Sequence, residues 1–404
     1  MDRTRWASSV PLVRPEPGAE IPDSLTYRVY LESIERIIVE RIDLLRAAMI
    51  EQGAADNTRI DEIGIIAEKH GSDYHPARVR VCTPDGPFSF VMNVAATERG
   101  AERLVNEFHL LRRLARNFRP RYVPRAYFLA ADPGVREHGY GMGMTMFLGE
   151  WFEGYHEFHP SSRGDGEPAR TVLWDTSAGY RDLSHEEVRE SFRQAAFILT
   201  FYYDPSTFKE IFPWHHAAGD FVVRRLAGGV DVKLITVRQY AARATFEAES
   251  PHKPVTALLF FLANLSIRMR LDRLDGIGEI VWAEDHCVEA AVHGFFAAME
   301  AKGAAANRIL GEFQSKVRDM SPAELAEVCR VVIDSYHPDA PDLHEGTSYG
   351  LKIRRSAGRD CSDCGDRAAR SKESNVAKTI PPPGKALQRV TVGHTFHRPR
   401  TRLE

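Results

Sequence analysis

The residues best suited to chemistry fall in a few short stretches. Trp214-His215-His216-Ala-Ala-Gly219-Asp220 sets an imidazole five residues ahead of a carboxylate that follows a glycine. If His215 occupies a catalytic position it could act as a general base, as imidazoles do, while Asp220 offers the hard oxygen ligand that Mg²⁺ prefers. The same histidine could instead be a buried imidazole bonded to backbone. Adjacent His215 and His216 project differently, so they do not form a chelating pair. Between Glu68 and Arg78 the chain gathers Lys69, His70, His75 and Arg78 around the single Gly71, either an anion site built from side chains or an ordinary polar turn. His156 and His159 could supply two imidazoles to a metal, or could belong to a simple ligand-facing loop or helix start. Cys361 and Cys364 form one CxxC, and His394 and His397 have only two residues between them, closer than a zinc knot requires. Gly-x-Ser-x-Gly, a signature nucleophilic cysteine and a dinucleotide fingerprint are all absent from the sequence, so those enzyme classes gain no support.

The chain that must position these groups has 404 residues, 43% hydrophobic, 27% charged and 10% aromatic, enough for two domains at roughly 100–200 residues each. Five cysteines at positions 82, 287, 329, 361 and 364 form no even framework, which implies a reducing compartment. The N-terminal stretch lacks the apolar core of a signal peptide. The longest apolar run, Val255 to Leu265, is shorter than a membrane span and leads into Arg268 and Arg270. A cytoplasmic location with no membrane span is therefore expected. Residues 351–404 hold 13 basic against 5 acidic residues, leaving 40 against 51 in the rest, so an acidic body carries a basic tail. That balance argues against specific nucleic-acid binding by the body.

Periodicity divides the chain further. Residues 1–23 read as a flexible arm, and 24–57 as an amphipathic helix with Leu31, Ile34, Ile38, Ile42, Leu45 and Met49 on one stripe. Three short strands follow at 60–66, 78–81 and 88–94, then a helix over 98–117 ended by Pro120 and Pro124, then strands at 126–129 and 144–148. After Gly154 the pattern becomes mainly helical. Ser184 and Glu187 open a helix as a capping box, Gly228-Gly229 turns a hairpin, and helices are expected at 254–270, 285–301, 304–318 and from Pro322. From Pro338 the tail reads as irregular, basic and disordered.

This order of elements resembles the bilobed protein-kinase-like fold, closest in pattern to the small-molecule kinases of the aminoglycoside phosphotransferase type. Phe90-Val-Met-Asn93-Val-Ala95 resembles the third strand, Val105-Asn-Glu107 to Leu114 the helix whose glutamate pairs with a strand lysine, and Met144 to Glu153 the fifth strand and hinge. Trp214 to Val223 resembles the catalytic loop, and Val232-Lys-Leu-Ile-Thr236 the strand leading to the metal-binding aspartate. The resemblance implies an α+β fold with a small antiparallel five-stranded N-lobe at 58–149, a mainly helical C-lobe at 150–337, an extra N-terminal helix and a tail at 338–404.

The resemblance also implies ATP and Mg²⁺ as cofactors, with Asn93, Glu107, Lys69, Arg78 and Glu150 around the nucleotide and Asp220 and Thr236 around the metal. The departures from the pattern are electrostatic. Asn93 stands at the lysine that neutralises phosphates, His215 at the catalytic aspartate, Asp220 at the metal-binding asparagine, and Thr236 at the metal-binding aspartate. Phosphoryl transfer depends on those charges. The expectation is a pseudokinase-like regulatory protein that binds a nucleotide, a small anion or a protein partner. The alternative is an atypical phosphotransferase in which His215 is the base, Asp220 holds the metal, and Lys69 or Arg78 supplies charge.

Overall fold

The computed structural model describes residues 26–68, 74–133, 143–161, 170–175, 179–214, 219–246, 252–274, 280–336 and 390–392. The fold is α+β, with eight helices among the described residues and a five-stranded antiparallel sheet. It divides into two compact units, Met1–Gly154 and Tyr155–Glu404. No helix among the described residues is long and apolar enough to cross a membrane.

In the first unit, α1 (Tyr27–Glu40) and α2 (Ile42–Glu51) precede β1 (Glu62–Ala67), β2 (His75–Thr83) and β3 (Gly86–Ala95). Then come α3 (Glu98–Asn117), β4 (Ala126–Asp132) and β5 (Met144–Glu150), and the sheet order is β1-β2-β3-β5-β4. Alternation along the strands gives the sheet two apolar faces. Ala77, Val79, Val81, Phe90, Met92, Val94, Met146 and Leu148 pack with Tyr30, Ile34, Ile38, Leu45 and Met49 of the first two helices. Phe147 belongs to the opposite face and meets Phe108 of α3 with ring centroids 5.8 Å apart. Each fully buried aliphatic such as Ile34 contributes about 1.5–3 kcal/mol, so the N-terminal helices are a structural wall of this unit. Polar contacts fix their position: the Tyr30 hydroxyl donates to the His75 carbonyl at 3.1 Å and Ser33 Oγ donates to the buried Asp132 carboxylate at 2.5 Å.

The expected single N-terminal helix is two. Arg41 leaves helical geometry (φ −114°, ψ 28°), and each piece lays its own short stripe on the sheet. β1 begins two residues later than expected, and the other four strands run longer than periodicity alone suggests, because cross-strand pairing extends past the apolar core to residues such as His75 and Thr83. Helix α3 matches its expected span, capped by Thr97 Oγ1, which accepts from the Gly100 amide at 3.1 Å.

The second unit departs from the mainly helical pattern expected after Gly154. It opens with a three-stranded antiparallel sheet of β6 (Phe158–Ser161), β7 (Arg170–Asp175) and β8 (Gly179–Asp182). The β-branched and aromatic run Thr171-Val172-Leu173-Trp174 favours a strand, and its pairing partners lie on both sides in sequence. Next come α4 (His185–Tyr202), with the Ser184–Glu187 capping box in place, β9 (Lys209–Ile211), and the hairpin of β10 (Phe221–Leu226) and β11 (Gly229–Leu234). β12 (Tyr240–Ala242) pairs with β9, and β13 (Ala244–Phe246) with β16 (Val390–Val392), inside the stretch read as an irregular tail. α5 (Lys253–Arg270), the short pair β14 (Leu271–Arg273) and β15 (Ile280–Trp282), α6 (His286–Ala301), α7 (Ala304–Asp319) and α8 (Pro322–Asp334) lie between. Phe261, Phe295 and Phe313 join α5, α6 and α7, and Ala263, Ile267, Leu325 and Val332 join α5 to α8.

Candidate functional site

Asp220 sits one residue before β10, after Gly219, whose φ of +70° is a left-handed conformation that suits glycine. The Asp220 carbonyl accepts from the Ile235 amide at 2.8 Å, closing the base of the hairpin. Its side chain is 1% exposed, and both carboxylate oxygens accept from one guanidinium: Arg238 Nη1 at 2.5 Å and Nη2 at 2.8 Å. This bidentate fork matches the plane of the carboxylate and cancels its charge. Arg238 lies in the extended segment after β11, two residues beyond the half-buried Thr236. Asp220 and Thr236 are thus close in the fold, but a guanidinium holds the carboxylate that was expected to hold a metal. His215 and His216 lie outside the described residues.

Against Gly219 packs a second acidic group. A β-carbon placed there would fall 2.5–2.6 Å from the Glu157 carboxyl group, so any other residue would push the end of that side chain aside. Glu157 Oε2 is 3.6 Å from Nε2 of His159, and Asp272 Oδ1 is 3.7 Å from Nδ1 on the other side. His159 is 1% exposed, with its ring centroid 4.6 Å from that of Trp174. Burial alone would lower its pKa, but the two flanking carboxylates outweigh burial and hold it above its ordinary value of 6.5. His156 points elsewhere, with Nε2 3.8 Å from Asp175. The two histidines proposed from spacing as metal ligands therefore serve separate carboxylates. The buried Glu157–His159–Asp272 cluster was not legible as a unit, because Asp272 is more than 100 residues away along the chain; the Glu157-x-His159 spacing was its only local signal.

In the first unit, Arg78, Ser89, Val91 and Asn93 alternate onto the same face of β2 and β3 that carries Phe147 of β5. Asn93 is half-buried opposite Phe147. Glu107 of α3 is buried and accepts a short hydrogen bond from the Tyr74 hydroxyl. Lys69 lies outside the described residues. Arg78 donates to Ser89 Oγ at 3.1 Å, pairs with Glu153 at 2.5 Å, and lies over the Trp151 ring at 5.2 Å. Burial raises the Glu68 pKa against the pull of Arg78, and Glu153 adds to the rise. Glu150, at the end of β5, accepts from the Arg125 amide at 3.0 Å and lies 3.3 Å from Arg121 Nη2. Its side chain braces β5 against the segment that enters β4.

Positive charge in this unit also collects on the outer side of α3. His109, Arg112, Arg113 and Arg116 line a shallow groove of about 450 Å³. Arg116 in the last turn is favourable against the helix dipole whether or not an anion binds.

Comparison with known proteins adds nothing to these geometries: no protein-family model and no curated protein matches the chain.

Proposed function

We propose that this chain is a pseudokinase-like regulatory protein that binds a nucleotide or another small anion without transferring a phosphoryl group. The observation that carries this reading is the bidentate Arg238–Asp220 pair around a carboxylate that is 1% exposed. An Mg²⁺ ion at Asp220 would have to displace a guanidinium that already satisfies both oxygens, and would leave that guanidinium without its buried partner. With Asn93 and Thr236 uncharged, the remaining residues offer little with which to neutralise a triphosphate in flight.

An anion has a different prospect at Arg78. Its partner Glu153 is 66% exposed, so an incoming phosphate can replace that carboxylate at small cost. Trp151 beside it presents an apolar surface suited to a flat base. The test is an ATP turnover assay with purified full-length protein, paired with thermal shifts in ATP, ADP and inorganic phosphate. The expected outcome is a nucleotide- or phosphate-dependent rise in Tm with no turnover. Steady ATP turnover that vanishes in Asp220→Asn would overturn the proposal in favour of an atypical phosphotransferase.

A further inference from the structure

Helices α4 and α6 pack side by side and run parallel. The His185 and His286 rings lie 4.3 Å apart at their first turns, and Arg189 is 3.9 Å from Glu289 one turn later. Beyond that, Gly294 sits against the backbone of α4: a β-carbon there would lie 2.1 Å from the Arg193 carbonyl oxygen. The close approach depends on that glycine, and it holds the two N-terminal histidines close together, their rings tilted by 50°, on rigid elements. Both ends are anchored independently. Ser184 and Glu187 close a capping box on α4, and Asp285 before α6 pairs with Arg270 at 3.0 Å.

Glu284 completes the group, with its Oε2 3.1 Å from Nδ1 of His286. One ligand atom each from His185, Glu284 and His286 lies within 4.8 Å of the other two. In a tetrahedral zinc shell, ligand atoms sit about 3.3 Å apart, a distance that small rotations of the exposed His185 and Glu284 side chains can reach. Nε2 of His286 is buried and has no hydrogen-bond partner, so polar packing satisfies only the Nδ1 side of this ring. The positive ends of two helices and Arg189 oppose a bare cation here. Imidazole ligands of a borderline-soft ion answer that objection better than Mg²⁺ would, because they bind through strong nitrogen donation.

From this geometry we infer that His185, Glu284 and His286 form a site for a zinc-class divalent metal ion, with one coordination position left open to water or another ligand. It is separate from the Asp220 region and does not depend on the function proposed above. The experiment is a Zn²⁺ titration of metal-stripped full-length protein against a chromophoric chelator, followed by Co²⁺ substitution and visible spectroscopy. Wild type should bind about one ion per chain at this site and give the intense ligand-field bands of low-coordinate Co²⁺. His185→Ala and Glu284→Gln should each weaken Zn²⁺ binding on the order of tenfold or more, and the His185→Ala/His286→Asn double variant should lose the Co²⁺ bands. His293→Ala, on an exposed position of the same helix, should change neither. Zn²⁺ affinity and Co²⁺ bands that survive in a folded double variant would overturn the inference and move the ion elsewhere, for instance to the Cys361–Cys364 segment. Wild-type binding no tighter than that of the double variant would overturn it too.

Discussion

Arg78–Glu153 in the first unit and Arg238–Asp220 in the second are the same chemical pair at different depths. Both contacts are 2.5 Å at their shortest, yet the Glu153 carboxylate is 66% exposed and that of Asp220 only 1%. The pairs differ in the exposure of the carboxylate and in geometry, a single contact at Arg78 and a bidentate fork at Arg238. Beside solvent, an arginine exchanges one anion for another at a cost below about 1 kcal/mol, because each partner is rehydrated when released. In the second unit, Arg238 cannot leave without stranding the buried Asp220 charge. On the function proposed above, the first unit keeps a cation for ligand exchange at Arg78, while the second unit holds the Asp220 carboxylate in a buried pair.

Breaking the deeper pair should have the largest effect. Arg238→Ala strands Asp220 and should destabilise the protein by about 3 kcal/mol in urea denaturation, the lower part of the range for buried pairs because Arg238 is itself 36% exposed. Arg238→Ala with Asp220→Ala together should cost less than the single change, since no buried charge remains. A loss below about 1 kcal/mol for the single variant would place this pair in the same class as the surface one.

The His159 cluster extends the comparison to pH. Its folded pKa is raised, so its stabilisation is complete below the ordinary value of 6.5 and is lost as pH rises through the raised value. Glu210, pushed by burial from 4.5 to about 7, acts in the same direction at lower pH, since its folded form holds a proton that the unfolded chain has released. Denaturation curves at about pH 6 and pH 8 should therefore show the native chain losing stability with rising pH. His159→Gln should cost about 1–3 kcal/mol at the lower pH and flatten part of that slope, with the Glu210 contribution left intact. An unchanged slope would remove His159 as the source.

The exposed pair should show the reverse pattern, a small effect on folding and a larger one on ligand. Arg78→Ala should lower stability by less than about 1 kcal/mol and weaken ATP or phosphate binding roughly tenfold, read by calorimetric titration. Equal affinity in wild type and variant would shift attention from Arg78 to the basic groove on α3.

Legibility followed the range of the interactions. Helix α3, the capping box at Ser184, the helix start at Pro322 and the Gly228-Gly229 hairpin are written in neighbouring residues, and all were readable from spacing. The five strands of the first unit were readable too, as short apolar runs bounded by Gly, Pro or Asp, with the clearest alternation of burial in β2. The sheet of β6, β7 and β8 was missed since its strands are short and separated by polar sequence, so pairing outweighs any period. The partners of Asp220 and His159 lie beyond local reach. Arg238 follows Asp220 across a hairpin, and Asp272 reaches His159 only because β14 folds back beside β6. Residue type identified Asp220 as a group with chemical capacity, and only the fold shows which cation it holds.

The most direct test is calorimetric titration of ATP in Mg²⁺ and in EDTA, for wild type and Asp220→Asn. If Arg238 and not a metal is the partner of Asp220, ATP affinity should be the same within about twofold in Mg²⁺ and EDTA, and the Asp220→Asn variant should show no new dependence on the ion. Affinity at least tenfold higher in Mg²⁺, with the advantage lost in Asp220→Asn, would contradict the account and return Asp220 to the metal.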